Sequence, residues 1–226
     1  MKCKFIEAKF LRELKGRFLC EIDIDGNIEL AHVPNSAKLS KYIEIEDKNV
    51  LVVKNENPKA KTRYQLCAVE TDDNHWIMVN LNLLNKIIAE YYEDNGCNVQ
   101  KERILSDTYK SDLLIKDKNG EQIVCEVKGI IANTKDVIFP MYSGERTVRQ
   151  LEYFRRLLKT QRFSVKYVFV LLDNNIEVIY ADKLNKEFVK HMRYCIKKQM
   201  QIEFFEVEIQ DDSISAKKTV EKKFII

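Results

Sequence analysis

From Ser111 to Gly129 the chain reads SDLLIKDKNGEQIVCEVKG, a pattern that constrains its fold more than any other stretch. Apolar residues fill Leu113, Leu114 and Ile115, then Ile123, Val124 and Cys125. Asn119-Gly120 between the two runs is a strong β-hairpin signal. Side chains alternate along a strand, so Glu126 and Lys128 share one face while Val127 points to the other. The turn length then decides where Asp112 points. A two-residue loop at Asn119-Gly120 would pair Asp112 with Val127, on the wrong face. A three-residue loop, Lys118 to Gly120, pairs Asp112 with Glu126, Leu114 with Val124 and Ile115 with Ile123. That register also suits Gly120 in a left-handed conformation.

Two carboxylates brought together repel unless protonated, paired or bound to a cation. Mg²⁺, or Mn²⁺ in its place, takes carboxylate oxygens and keeps several waters. Such an ion can activate a water and stabilise charge on a phosphoryl oxygen. Lys128 lies on the same face as Glu126 and could orient that water or the scissile phosphate. The hairpin is therefore a candidate for metal-dependent phosphodiester cleavage. The plain alternative is an exposed edge with ordinary charges, in a chain that is 32% charged. Acid-x-lysine triplets arise often by chance.

Bulk properties set the frame. The 226 residues suffice for one domain or two small ones, and an apolar fraction of 45% is ordinary for a globular protein. A mean hydropathy of -0.35 and the lack of a long apolar run argue against a transmembrane helix. The start, MKCKFIEAKFLREL, carries charges throughout and no signal-peptide core, so the expected location is the cytoplasm. A net charge of +3 permits nucleic-acid binding without arguing for it. Cys3, Cys20, Cys67, Cys97, Cys125 and Cys195 are scattered with no C-x-x-C pair, which points to reduced thiols rather than zinc.

Along the chain, residues 1 to about 77 read as short strands. Runs at 18–24, 28–33, 49–54 and 64–70, separated by turn signals, suggest a small β-barrel. The polar loop NENPKAKTR between the last two runs carries Lys59, Lys61 and Arg63. With Lys54, Arg12, Lys15 and Arg17 these could form a basic face, or simply a solvated one. From Asn82 the period changes to helical: Leu83, Leu84, Ile87, Ile88, Tyr91 and Tyr92 recur until Gly96. Glu90 falls at the border of that stripe, beside Leu83, from where a carboxylate can reach into a seam. A helix is expected over 144–159, burying Val148, Leu151, Phe154 and Leu158. Arg146, Arg149, Gln150 and Tyr153 fall on its other face, and paired arginines suit phosphate oxygens. VKYVFVLL at 165–172 reads as a buried strand, followed by a helix over 183–200 and a strand over 203–209. The tail after Asp212 could add an edge strand.

Taken in order, these residues resemble the sugar fermentation stimulation protein A family over nearly the whole chain. Its marks are HVPNSAKL at 32–39, NPKAKTRY at 57–64, VNLNLLNKIIAE at 79–90, Asp112, EVK at 126–128, and Phe139-Pro140 followed by Glu145-Arg146. The resemblance implies an α+β protein of two domains: an OB-fold-like β-barrel over 1–77 and a PD-(D/E)XK nuclease-like α/β domain over 78–226. It implies nucleic-acid binding, with DNA the usual partner and nuclease activity inferred from fold and motif. By position, Asp112 and Glu126 match the metal-binding acids, Lys128 the catalytic lysine and Glu90 the helical acid often added to such sites. Asn80 and Asn85 match recurrent asparagines beside that helix. There are departures: Ala37 stands where glycine usually follows HVPN and a hydroxyl residue, Gly129 where asparagine follows EVK, Met141 where aspartate follows Phe-Pro. Thr147, Arg149 and Gln150 stand in for glycine, lysine and histidine on the helix.

The expectation is thus a Mg²⁺- or Mn²⁺-dependent nuclease acting on DNA, with RNA as the second candidate. Asp112, Glu126 and Glu90 would hold the metal and Lys128 would position the attacking water. Arg17, Lys59, Lys61, Arg63, Arg146 and Arg149 would grip phosphates, and Tyr64 would offer a stacking platform. The rival is a DNA-binding transcriptional regulator whose nuclease-like domain no longer cuts.

Overall fold

The computed structural model describes residues 1–14, 18–35, 39–55, 57, 59–72, 74–107, 109–132, 134–140 and 144–226. In the first third, β1 (Phe5–Glu13), β2 (Leu19–Ile24), β3 (Asn27–His32), β4 (Asn49–Lys54) and β5 (Tyr64–Glu70) close on themselves. β1 pairs antiparallel with both β2 and β4, β2 with β3, and β4 with β5. A short parallel contact, Ala31 opposite Tyr64, joins β3 to β5 and completes the barrel. This is the closed Greek-key order of an OB fold. Alternation puts Phe10, Ile22, Val52 and Leu66 inside, each with no exposed surface. The runs expected at 49–54 and 64–70 are β4 and β5 to the residue. β6 (Trp76–Met78) extends the β5 edge.

A 3-10 turn, Leu81–Leu83, then leads into α1 (Leu84–Asp94). Asn80 caps that turn, its side chain accepting from the Asn82 amide at 3.1 Å. After α1 come β7 (Asn98–Lys101), a small pair β8 (Ile104–Ser106) and β9 (Tyr109–Lys110), then the hairpin β10 (Leu113–Lys116) and β11 (Gln122–Ile130). β12 (Asp136–Phe139) and α2 (Glu145–Thr160) cross over to β13 (Ser164–Leu171), which lies parallel to β11. β14 (Val178–Ala181) and α3 (Lys186–Lys197) lead to β15 (Gln201–Gln210), parallel to β13, and β16 (Ser213–Thr219) is the antiparallel edge. β17 (Lys223–Ile225) joins β14 in a parallel side sheet with β12, so the tail supplies two edge strands rather than one. Sheet order β16-β15-β13-β11-β10-β7, helices on both faces and a β-meander feeding a parallel strand make the core of the PD-(D/E)XK nuclease fold. The molecule is a two-domain α+β protein.

Two apolar layers flank this sheet. Cys125 and Val127 pack with α1 and the barrel interior, while Val124 and Ile130 pack with α2 and α3. The first layer runs unbroken from the barrel into the sheet, so the barrel is welded to the back of the hairpin. Glu126 and Lys128, alternating with Val127, are left on the α2 side. No described helix is long and apolar enough to cross a membrane.

Candidate active site

The hairpin closes in the register that places its two acids together. Leu113 opposes Cys125, Leu114 opposes Val124 and Ile115 opposes Ile123, so the next step outward sets Asp112 against Glu126. Lys118 to Gly120 form the turn. Asp117 N–H donates to the Glu121 carbonyl at 3.0 Å, and Gly120 takes the left-handed φ of +85°. The Asp117 side chain secures it, accepting from the amides of Asn119 at 2.9 Å and Glu121 at 2.8 Å.

Glu126 has no exposed surface. Its Oε2 accepts from the Tyr109 hydroxyl at 2.8 Å, and its Oε1 accepts from Lys128 Nζ at 2.7 Å and from the Gln150 side-chain amide. Lys128 Nζ also donates to Gln150 Oε1 at 2.8 Å. Glu126, Lys128 and Gln150 therefore form a closed triangle, with Tyr109 fixing its outer corner. Burial raises the Glu126 carboxyl to about 7, helped by the Asp112 charge and opposed by Lys128. Burial likewise drives the Tyr109 hydroxyl far above its usual range, so it remains a donor.

Asp112 is half-buried at the strand end. One oxygen accepts from the Val127 backbone N–H at 2.9 Å, the other from the Asn85 side chain on α1 at 3.3 Å. The close packing of α1 has a sequence cause at Gly129. A Cβ there would sit 2.6 Å from Leu84 Cδ1 and 2.8 Å from Leu81 Cδ2. The departure from asparagine after EVK thus makes room for the start of α1.

Glu90 does not join the pair. Its carboxylate lies 2.8 Å from the amino group of Met1, itself bonded to the Ile214 carbonyl. Asn85 is the α1 residue that faces Asp112. Five residues further on, Glu90 is rotated by about 140° and displaced by about 7.5 Å along the helix. Among the described residues no three His, Cys, Asp or Glu side chains gather as a metal-binding group.

The helix after Pro140 differs from its expected pattern. Leu151 and Phe154 are fully buried, but Leu157 and Gln150 are buried with them, while Val148 and Leu158 are only partly covered. Gln150 stands about 40° from Phe154 around the helix, close enough to turn inward. Tyr153 stacks on Tyr109 with ring centroids 4.1 Å apart. Above these two rings is a pocket of about 420 Å³ lined by Lys110, Arg146, Arg149, Gln150, Glu152 and Arg156. Arg146 and Arg149 are exposed on its wall, and Tyr109 and Gln150, two of the residues that hold Glu126, also line it. Sequence reasoning missed Tyr109, Lys110 and Arg156. The only early sign of Tyr109 was a lone aromatic in a polar run three residues before Asp112.

The barrel residues fall elsewhere. Lys59 and Lys61 are exposed on the loop before β5. Arg63 is exposed too, 4.0 Å from Glu29 and with its guanidinium 5.5 Å from the Tyr64 ring centroid. Tyr64 itself is only 6% exposed, which rules out an open stacking platform; alternation places it with Leu66 on the inner face. Arg17 lies outside the described residues.

Known proteins share this architecture. The SfsA N-terminal OB domain family matches residues 15–79, and the sugar fermentation stimulation protein RE domain family matches residues 78–213. The sugar fermentation stimulation protein homolog of Clostridium beijerinckii is 26% identical over 233 residues, spanning 96% of each chain. That of Clostridium acetobutylicum is 25% identical over 220 residues, spanning 94% of each. The solved structure of Pyrococcus furiosus SfsA in complex with Ca²⁺ superposes over the full length of both chains with a TM-score of 0.78 at 19% identity, a likeness of fold.

Proposed function

This chain belongs to the sugar fermentation stimulation protein family, and we propose that it binds DNA and hydrolyses its phosphodiester bonds with a divalent cation. One observation carries the reading: the hairpin register sets Asp112 opposite Glu126, Glu126 bonds Lys128, and Tyr109 and Gln150, which also hold Glu126, line a pocket with Arg146 and Arg149. The donor set fits a hard cation. Two carboxylates at the same end of the hairpin, one with its pKa raised by burial and by the charge of the other, offer the one or two protein carboxylates that Mg²⁺ usually takes while keeping its waters. Asp112 and Glu126 would hold it, and the Ca²⁺ found with the Pyrococcus furiosus protein is a cation of the same oxygen-seeking kind. When bound, such an ion supplies an activated water and offsets charge on a phosphoryl oxygen.

The chain's own residues do the rest. Lys128, held by Gln150 and Glu126, presents a fixed ammonium that orients the attacking water and steadies transition-state charge. Tyr109 and Gln150 keep the Glu126 carboxylate in one orientation. Arg146 and Arg149 grip flanking phosphates at the pocket wall. In this reading residues 1–77 carry the strand and 78–226 cut it.

A DNA-binding protein that does not cut is the second reading, favoured by the absence of a third acid among the described residues. Plasmid, single-stranded DNA and RNA incubated with Mg²⁺, Mn²⁺ or EDTA separate the two. Cleavage that needs metal and is lost in Asp112→Ala and Lys128→Ala supports the nuclease. Binding without metal-dependent cleavage removes it, and cleavage that persists in both variants comes from another site.

A further inference from the structure

Four lysines surround one pocket whose lining, among the described residues, includes no acidic residue. The pocket, about 440 Å³, opens where the first residues of the chain, the end of β4 and the start of α1 meet. Lys2, Lys4, Lys54 and Lys86 stand around it, and Ile6, Val53 and Leu83 give it an apolar wall. All four lysines are exposed, and among the described residues no salt bridge ties any of them to a carboxylate. Some exposed lysines elsewhere are ion-paired: Lys9 reaches Asp47 at 3.2 Å, Lys135 reaches Glu177 at 2.7 Å and Lys190 reaches Glu187 at 3.1 Å. Like charges gathered round a concave surface raise the local potential and draw anions.

The position of the pocket narrows the anion. Leu83 and Lys86 line it, while Asn85 between them faces Asp112. Neighbouring helix residues point about 100° apart, so the pocket and Asp112 meet adjoining faces of the first turn of α1. Lysine is a point-charge binder of phosphate, and the apolar wall gives a sugar or base somewhere to lie. We propose that this pocket is a second phosphate site, taking a nucleotide unit beside the bond that is cut. It rests on the nuclease reading for the identity of the strand, and the shared chemistry, a phosphate on an apolar body, also fits a free nucleotide.

The test reads binding in EDTA, apart from cleavage. A fluorescein-labelled oligodeoxythymidylate is titrated against the full chain, Lys54→Gln/Lys86→Gln and Arg146→Gln/Arg149→Gln, from about 50 to 200 mM salt. Loss of two phosphate contacts should lower the salt slope on a single strand by about 1.4 and weaken low-salt binding by about tenfold or more. Thymidine triphosphate is the competitor. If it displaces the oligonucleotide only while the lysines are present, the occupant is a free nucleotide; if it fails to compete, the occupant is the strand. An unchanged slope and affinity in the lysine pair overturns the proposal, and with binding lost in the arginine pair the nuclease reading still stands. Lysine-dependent binding with no metal-dependent cleavage keeps the pocket and removes the nuclease. No binding of either probe by the wild type overturns the pocket outright.

Discussion

Glu126 has no exposed surface and both its oxygens are bonded, whereas Lys59 and Lys61 on the barrel loop are exposed and Lys54 beside them lines a pocket with Lys2, Lys4 and Lys86. The two regions handle charge in opposite ways. At the hairpin, charge is buried and fixed by Tyr109, Gln150 and Lys128, which costs stability and secures geometry. On the barrel and its seam, charge stays in water, where it costs little and acts at a distance. Buried charge is suited to acting on one atom, and solvated charge to attracting a polyanion.

The contrast predicts a wide gap between catalysis and binding. Lys128→Met should lower metal-dependent cleavage by about 10³-fold, while binding measured in EDTA changes little. An equal loss of cleavage in Lys59→Gln/Lys61→Gln would break the contrast. Next in size is a pH effect. Glu126 has its folded pKa raised from 4.5 to about 7, so between those values the native state holds more protons than the unfolded chain. Stability from this group is full below 4.5 and is lost as pH rises through about 7. Glu126→Gln abolishes that dependence. Urea unfolding at pH 4.5 and pH 8 should show the variant gaining on the wild type by up to about 3 kcal/mol, and parallel pH curves would refute the buried-carboxylate account. Arg146→Gln/Arg149→Gln should reduce the salt slope on duplex DNA by about 1.8, measured by anisotropy. Smallest of all, Tyr64→Phe should leave DNA affinity within about twofold, since surface-independent changes of this kind move little; a marked loss would return Tyr64 to the binding surface.

The same contrast explains what could be read from the residues alone. The hairpin register was legible because a strand has a side-chain period of 2, and only an odd turn puts Asp112 with Glu126. Burial of Tyr64 was legible too, since it alternates with Leu66, but its aromatic ring drew the opposite reading. Glu90 shows the limit. A helical projection places it at the edge of an apolar stripe but cannot say what packs there, and the Met1 amino group reached it instead. Gln150 failed for the same reason, at a border position whose inward turn depends on buried partners from β11. Closure of the barrel by Ala31 and Tyr64 rests on a contact too short to leave a periodic trace.

The central claim is that Asp112 and Glu126 hold a divalent cation. Isothermal titration of Mn²⁺ into the wild type and Asp112→Asn, at pH 6 and pH 8, tests it most directly. A cation competes with the proton on Glu126, whose pKa is raised to about 7, so affinity should rise from pH 6 to pH 8. One saturable site in the wild type, stronger at pH 8 and abolished in Asp112→Asn, is the predicted result. Equal binding by the two proteins, or none by the wild type at either pH, would contradict the account.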